Sequence, residues 1–387
     1  MTMTITPHWF LPTTGDGRTI VERFHANRSL GPVAQREPTI DYLAQVARAA
    51  EQLGFEGVLT PTGTWCEDAW LTTAALIRET KRLKYLVAFR PGVISPTLAA
   101  QMAATYQRIS GGRLLLNIVT GGDSIEQKRF GDFHDHDQRY ARTDEFLTIA
   151  RGVWSGEPFD FTGEHLSVEG ATVLAPPDPV PPLYFGGSSP AALPVAARHA
   201  DVYLTWGEPP AQVADKIRRV RELAEAQGRT IRFGIRLHTL SRDSSAEAWA
   251  EAQKLLDALS PEQVAKAQAQ LAASESEGQR RMVALHGGGL DRGVRGLEIH
   301  PNLWAGIGLV RGGAGTALVG SHGEVADLIE EYHSLGIEEF VLSGYPHLEE
   351  AYWFAEGVLP ELAHRGLLRG TRDQRSTLRE ERHVAAQ

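Results

Sequence analysis

The chain has 387 residues, 42% of them hydrophobic and 22% charged, enough to build a large globular core and too apolar for global disorder. A formal net charge of -9 offers no broad basic surface to a nucleic-acid backbone, although two or three cations gathered in one pocket would still hold a small anion. The single cysteine, Cys66, excludes an internal disulfide and a four-cysteine zinc site.

Residues 1–10 lack the basic region and apolar run of a secretory signal, and no later stretch approaches the ~18 apolar residues of a membrane span, so the expectation is a soluble, cytoplasmic protein with no nucleic-acid or membrane partner. A first strand ends near Pro12. Residues 39–53 then place Ile40, Leu43, Val46, Ala47 and Ala50 at helical spacing, and Gly54 closes the run. Strand 55–60 follows, then helix 68–80 and strand 83–90, then helix 96–109, Gly111-Gly112 and strand 113–120. Beyond these come strand 182–186, helix 190–197, strand 201–205, helix 211–226, strand 231–239 and helix through about residue 270. Helix 322–335 and strand 339–342 bring the strands to roughly eight, the number that closes a (β/α)8 TIM barrel. The pattern is one barrel domain over 1–365 with insertions near 15–38, 121–135 and 274–320, followed by a charged tail at 366–387.

In such a barrel the chemistry lies at the carboxyl ends of the strands. Polar residues there are Trp9 and Thr13, Thr62 and Cys66, Arg90, Asn117 and Thr120, Gly187-Ser188-Ser189, Trp206, Arg236 and His238, and Tyr345 and His347. Arg236 and His238 are two apart on a strand and therefore share one face. An inward guanidinium there would either grip an oxyanion or pair with Asp201 or Glu208. The turn Gly187-Ser188-Ser189 opens a helix and would either hold a phosphate or merely cap the helix. Arg311-Gly312-Gly313-Ala314-Gly315-Thr316 is either a hinged lid carrying a cation or a surface loop. Cys66 stands near a helix N-terminus that would lower its pKa, but no Cys–His signature accompanies it, leaving a polar ligand contact or an inert thiol. His134-Asp135-His136-Asp137 reads as a polar loop, since adjacent residues do not converge on one ion, and no metal site is expected.

Taken in order, Trp9-Phe10-Leu11-Pro12-Thr13, Gly15-Asp16-Gly17, Cys66-Glu67-Asp68-Ala69-Trp70, Leu204-Thr205-Trp206-Gly207-Glu208-Pro209-Pro210, Phe233-Gly234-Ile235-Arg236-Leu237-His238, Pro301-Asn302-Leu303-Trp304, Arg311-Gly312-Gly313-Ala314-Gly315-Thr316 and Ser343-Gly344-Tyr345-Pro346-His347 resemble the flavin-dependent alkanesulfonate monooxygenases of the bacterial-luciferase-like superfamily, to about residue 360. The resemblance implies cleavage of an organosulfonate to sulfite and an aldehyde with dioxygen and FMN, the latter delivered as FMNH2 by a separate NAD(P)H:FMN reductase, in a homo-oligomer. It implies flavin contacts at Asn117, Thr120, Tyr140, Gly187, Ser188 and Ser189. Catalytic roles fall on Arg236, His238, Tyr345 and Arg311, and substrate contacts on Trp206, Cys66, Trp9 and His347. Proton traffic is left open among the flavin, Arg236 and His238. The stretch 18–38, with Arg23, His25, Asn27, Arg28 and Arg36, is longer than in the simplest such enzymes, which brings in the similar sulfoquinovose monooxygenases. Another flavin or deazaflavin oxidoreductase, or a non-catalytic flavin- or sulfonate-binding protein, stands as the alternative.

Overall fold

The computed structural model describes residues 4–20 and 36–368. Eight parallel strands close a barrel: β1 (Thr6–Phe10), β2 (Gly57–Thr60), β3 (Lys84–Phe89), β4 (Leu114–Ile118), β5 (Leu183–Phe185), β6 (Val202–Trp206), β7 (Arg232–Arg242) and β8 (Ile337–Ser343). Closure runs through β1 against β8, with Thr6 opposite Glu339 and His8 opposite Val341, and through β6 against β7, with Trp206 opposite Arg236. Side-chain alternation along these strands divides the core in two. Phe10, Leu59, Leu86, Leu115, Tyr184, Val202, Leu204 and Val341 fill the lumen, whereas Trp9, Val58, Val87, Leu116 and Phe185 pack outward against the helices.

The helices begin and end where short-range chemistry dictates. Thr39 Oγ1 accepts the Tyr42 N–H at 3.2 Å to start the helix Ile40–Leu53, and Gly54 ends it in the left-handed region at φ 91°. Ser95 caps Pro96–Ser110, with Pro96 in the first turn, where its missing N–H has no intrahelical bond to lose. The helix His136–Val153 has no counterpart in the sequence reading. Its buried face includes Arg139 and Arg142 beside Phe146, Leu147 and Ile149, so charges interrupt the apolar period. Asp135 is its N-cap, joined to Gln138 in a reciprocal pair. The hairpin Phe159–Thr162 with Ser167–Ala171 was likewise not anticipated. The predicted single helix through residue 270 is two, Ser245–Asp257 and Pro261–Ala272, the second starting at a Ser260 cap with Pro261 behind it.

Within 274–320 the chain is built rather than looped. It holds the helix Glu277–His286, short strands Glu298–His300 and Leu303–Trp304, and the strand Ala317–Ser321, which pairs parallel with the outer half of β7, Ala317 opposite His238 and Ser321 opposite Arg242. This added strand continues along the β7 edge that β6 leaves after Trp206. The insertion thus roofs the carboxyl end of the barrel. No helix among the described residues is long and apolar enough to cross a membrane. Arg23, His25, Asn27, Arg28 and nearly all of the predicted tail lie outside the described residues.

Candidate active site

Arg236 and His238 point into the lumen, and a hydrogen-bonded chain fixes their roles as donors. Arg236 Nη2 donates to Ser343 Oγ at 2.8 Å, and Nη1 donates to the Leu237 carbonyl at 2.5 Å. Ser343 Oγ lies 2.8 Å from His238 Nδ1, and His238 Nε2 lies 3.1 Å from the Ala314 carbonyl. A carbonyl only accepts, so His238 carries its proton on Nε2, its Nδ1 accepts from Ser343, and the imidazole is neutral. Burial pushes the His238 pKa well below its ordinary value, and the charges of Arg236 and Arg311 push the same way. Burial, then the neighbouring Arg311, lowers Arg236 to about 9.

No carboxylate bonds Arg236 among the described residues. Both carboxylates considered from the sequence are engaged elsewhere. Glu208 takes Lys216 at 3.0 Å and both forks of Arg281 at 2.7 and 2.8 Å, while Asp201 pairs with Arg151 at 3.2 Å and Arg229 at 3.6 Å. Arg236 and Arg311 instead lie over the Phe10 ring, 4.8 and 5.8 Å from its centroid. The Arg311 loop is a roof: Gln279 Oε1 accepts the Gly313 N–H at 2.9 Å, and a Cβ on Gly278 would come within 2.9 Å of the Trp206 ring. Trp206 is thereby held under the insertion, with Arg281 clamping the insertion's helix to Glu208.

Tyr345 stacks on His238 with ring centroids 5.4 Å apart, and meets His347 edge-on at 5.2 Å. His347 Nδ1 and its backbone N–H both contact Asp16 at 2.9 Å. Burial raises the Asp16 pKa, but His347 and the Tyr42 hydroxyl outweigh it and hold the carboxyl at about 2. Ser343 and Asp16 stand inside motifs that carry the resemblance, but the sequence assigned neither a role. Ser343 is one polar residue at the end of an apolar strand, and Asp16 meets His347 across 331 positions. The legible signal for Asp16 was its place between Gly15 and Gly17 after strand one.

Two expectations are corrected. Trp9 packs on Phe55 and Phe354 in the outer layer, because His8 and Phe10 take the inward positions of β1; its indole only reaches the His347 carbonyl, at 2.9 Å. Cys66 has its pKa pushed up to about 12, chiefly by burial, and its thiol faces the Pro61 and Gly63 carbonyls at 3.6 Å. Asp68, which caps the helix start at Ala69, and Glu126 add negative charge beside the sulfur and push the same way as burial.

On the other wall, Asn117 lies on β4 on the Leu115 side, facing the lumen, and Thr120 Oγ1 meets Thr143 Oγ1 at 3.2 Å. Tyr140 is buried against Phe185, with its hydroxyl on the Gly187-Ser188-Ser189 turn. Ser189 Oγ also accepts the Ala192 N–H at 3.2 Å, so it does cap the following helix. A Cβ on Gly187 would come within 2.7 Å of Ala192 and 3.1 Å of the Tyr140 hydroxyl, which leaves a close backbone cradle ringed by hydroxyls. His134 is tied to Asp132 at 2.9 Å and to Arg142 at 3.1 Å.

A barrel with a cationic, roofed mouth and a hydroxyl-lined cradle has relatives. The family model for luciferase-like monooxygenases matches residues 8–339, and the chain belongs to that family. Its fold is similar to that of riboflavin lyase RcaE, solved with modified FMN and riboflavin, at 21% identity and TM-score 0.77 over 95% of this chain and 93% of that one. It is also similar to DmoA from Hyphomicrobium sulfonivorans, at 18% identity and TM-score 0.75 over 95% and 89%, and to the long-chain alkane monooxygenase LadA, at 20% and 0.72 over 95% and 93%.

Proposed function

We propose that the chain is the oxygenating half of a two-component system: it takes FMNH2 from an NAD(P)H:FMN reductase and, with dioxygen, cuts the carbon–sulfur bond of an alkanesulfonate or of a sugar sulfonate such as sulfoquinovose. One observation carries this reading. Arg236 is buried beside a second guanidinium, Arg311, without a bonded carboxylate among the described residues, which would cost several kcal/mol unless an anion completes the site. A sulfonate matches the forked donors of both arginines.

The turn of Gly187, Ser188 and Ser189 with Tyr140, and with Asn117 and Thr120 beside it, would hold a phosphorylated flavin through the backbone and hydroxyls that converge there. Bound reduced flavin supplies the two electrons and two protons that turn one atom of dioxygen into water. The other oxygen atom stays on carbon as the aldehyde, the carbon–sulfur bond breaks to release sulfite, and one proton is left over per turnover. Arg236 and Arg311 bind the sulfonate oxygens and stabilise the charge that grows as sulfite, a dianion, departs. His238 cannot donate to the sulfonate while its Nε2 holds Ala314; through Ser343 and Ala314 it ties Arg236 to the roof. Trp206, Tyr345 and the Arg311 loop exclude water from the reacting carbon.

The test is sulfite release from a panel of alkyl, aryl and sugar sulfonates with FMN, NADH and a generic flavin reductase. Sulfite in proportion to aldehyde supports the reading. Oxidation of a sulfur-free substrate, or activity only with a deazaflavin, overturns it.

A further inference from the structure

Two histidines face the carboxyl end of the lumen, and their surroundings are opposite. Both ring nitrogens of His238 are engaged, Nδ1 by Ser343 and Nε2 by Ala314, so a further proton would break the chain that aligns Arg236 and would place a third cation beside two guanidiniums. His347 has only Nδ1 engaged, and its partner is a carboxylate. Asp16 is fully buried and accepts from His347 Nδ1 and the His347 backbone N–H, from the Gly17 N–H at 2.8 Å and from the Tyr42 hydroxyl. A carboxylate only accepts, so Nδ1 carries a proton, and in the neutral imidazole Nε2 is the nitrogen that presents a lone pair. No hydrogen-bond partner occupies that Nε2 among the described residues. The ring is wedged between Phe10, 5.4 Å away, and Tyr345, 5.2 Å away, and it is Phe10 that also lies under Arg236 and Arg311.

We propose that His347, oriented by Asp16, is the base that accepts the surplus proton of turnover, and that His238 is a positioning residue. The assignment rests on the desulfonating reading. The proton leaves the sulfur-bearing carbon for His347 Nε2 as that carbon acquires its oxygen and sulfite departs, and it passes from Nε2 to solvent when the roof opens. Asp16 stabilises the imidazolium that forms without taking the proton itself, because a buried carboxylate with this many donors stays ionised.

Three measurements test it. Histidine-selective 15N spectra of the flavin-free protein should show His347 as the Nδ1–H tautomer and His238 as the Nε2–H tautomer. His347→Ala should lose about 100-fold in kcat for sulfite release, with KM for the sulfonate changed by no more than about threefold, and should regain activity with added 4-methylimidazole. His238→Asn should mainly raise KM and gain nothing from imidazole, and Asp16→Asn should lower kcat and not KM. A His347 proton on Nε2, full activity in His347→Ala, or rescue of the His238 variant alone would each overturn this assignment while leaving the desulfonating reading intact. A wild-type chain that releases no sulfite from any sulfonate removes both.

Discussion

The two ends of the barrel lumen are built from the same pair of strands and treat charge in opposite ways. At the amino end, Arg232 of β7 meets Glu339 of β8, and the same carboxylate takes His8 at 3.0 Å and the Tyr184 hydroxyl. At the carboxyl end, Arg236 stands four residues further along β7 on the same face, and β8 offers it Ser343 instead of an acid. There the buried charge is the Glu339 carboxylate, 2% exposed against 44% for Arg232, and the fold must supply it with partners, since a buried unpaired charge would cost several kcal/mol. Binding an anion requires Arg236 to remain unsatisfied. One strand carries an arginine that an acid meets and another that a hydroxyl meets, told apart by what the neighbouring strand supplies.

Breaking that contrast at the carboxyl end should have the largest effect. Arg236→Ala should lower kcat/KM for sulfite release by about 1,000-fold or more, the scale of losing a preorganised charge stabiliser, while reduced FMN still binds, as read by anaerobic fluorescence titration. Normal turnover in that variant would refute the sulfonate site. Supplying the missing acid should come next: Ser343→Asp should raise KM for the sulfonate by about 10- to 100-fold without lowering the thermal midpoint, because the new carboxylate does for Arg236 what Glu339 does for Arg232.

At the amino end the readout should be stability. Glu339→Gln should cost about 3 kcal/mol in denaturant unfolding and change kcat/KM by no more than about threefold. Burial raises the Glu339 pKa, but His8, Arg232 and Tyr184 outweigh it and hold the carboxyl at about 2, below the 4.5 of a free glutamate. A depressed acid stabilises the fold fully above 4.5 and loses that contribution as pH falls toward 2. The wild type should therefore lose stability across that window more steeply than the Gln variant, as followed by acid titration of circular dichroism. The smallest effect belongs to Cys66→Ala, about threefold or less in kcat/KM, since a thiol raised to about 12 is no nucleophile near neutrality.

The barrel and one side of this contrast could be read from the sequence. Arg236 and His238 share a face by strand period alone, and the βα alternation with its Gly54 and Gly111 stops gave the barrel. Trp9 was misplaced because the alternation of β1 cannot say which parity faces inward until a neighbour is known. The Cys66 environment failed for a related reason: nearness in sequence to a helix start says nothing about whether the helix dipole points at the sulfur. The partners of Arg232 and His347 lie 107 and 331 positions away, and no local pattern encodes such pairs. The helix His136–Val153 was hidden by the arginines on its buried side, which serve Asp132 and Glu275 rather than solvent.

The strand Ala317–Ser321 extends an edge of β7, and the helix Glu277–His286 is riveted to Glu208, so the Arg311 loop between them is suspended from two fixed points. Its middle is held as well, by Gln279 at the Gly313 N–H, by His238 at the Ala314 carbonyl and by the Gly308 N–H at the Gly315 carbonyl. On the proposed reading, the barrel would keep one anion grip while the length and side chains of that span set how bulky a molecule fits beneath it. Substrate range would then be a property of the canopy, open to change without disturbing the eight staves beneath.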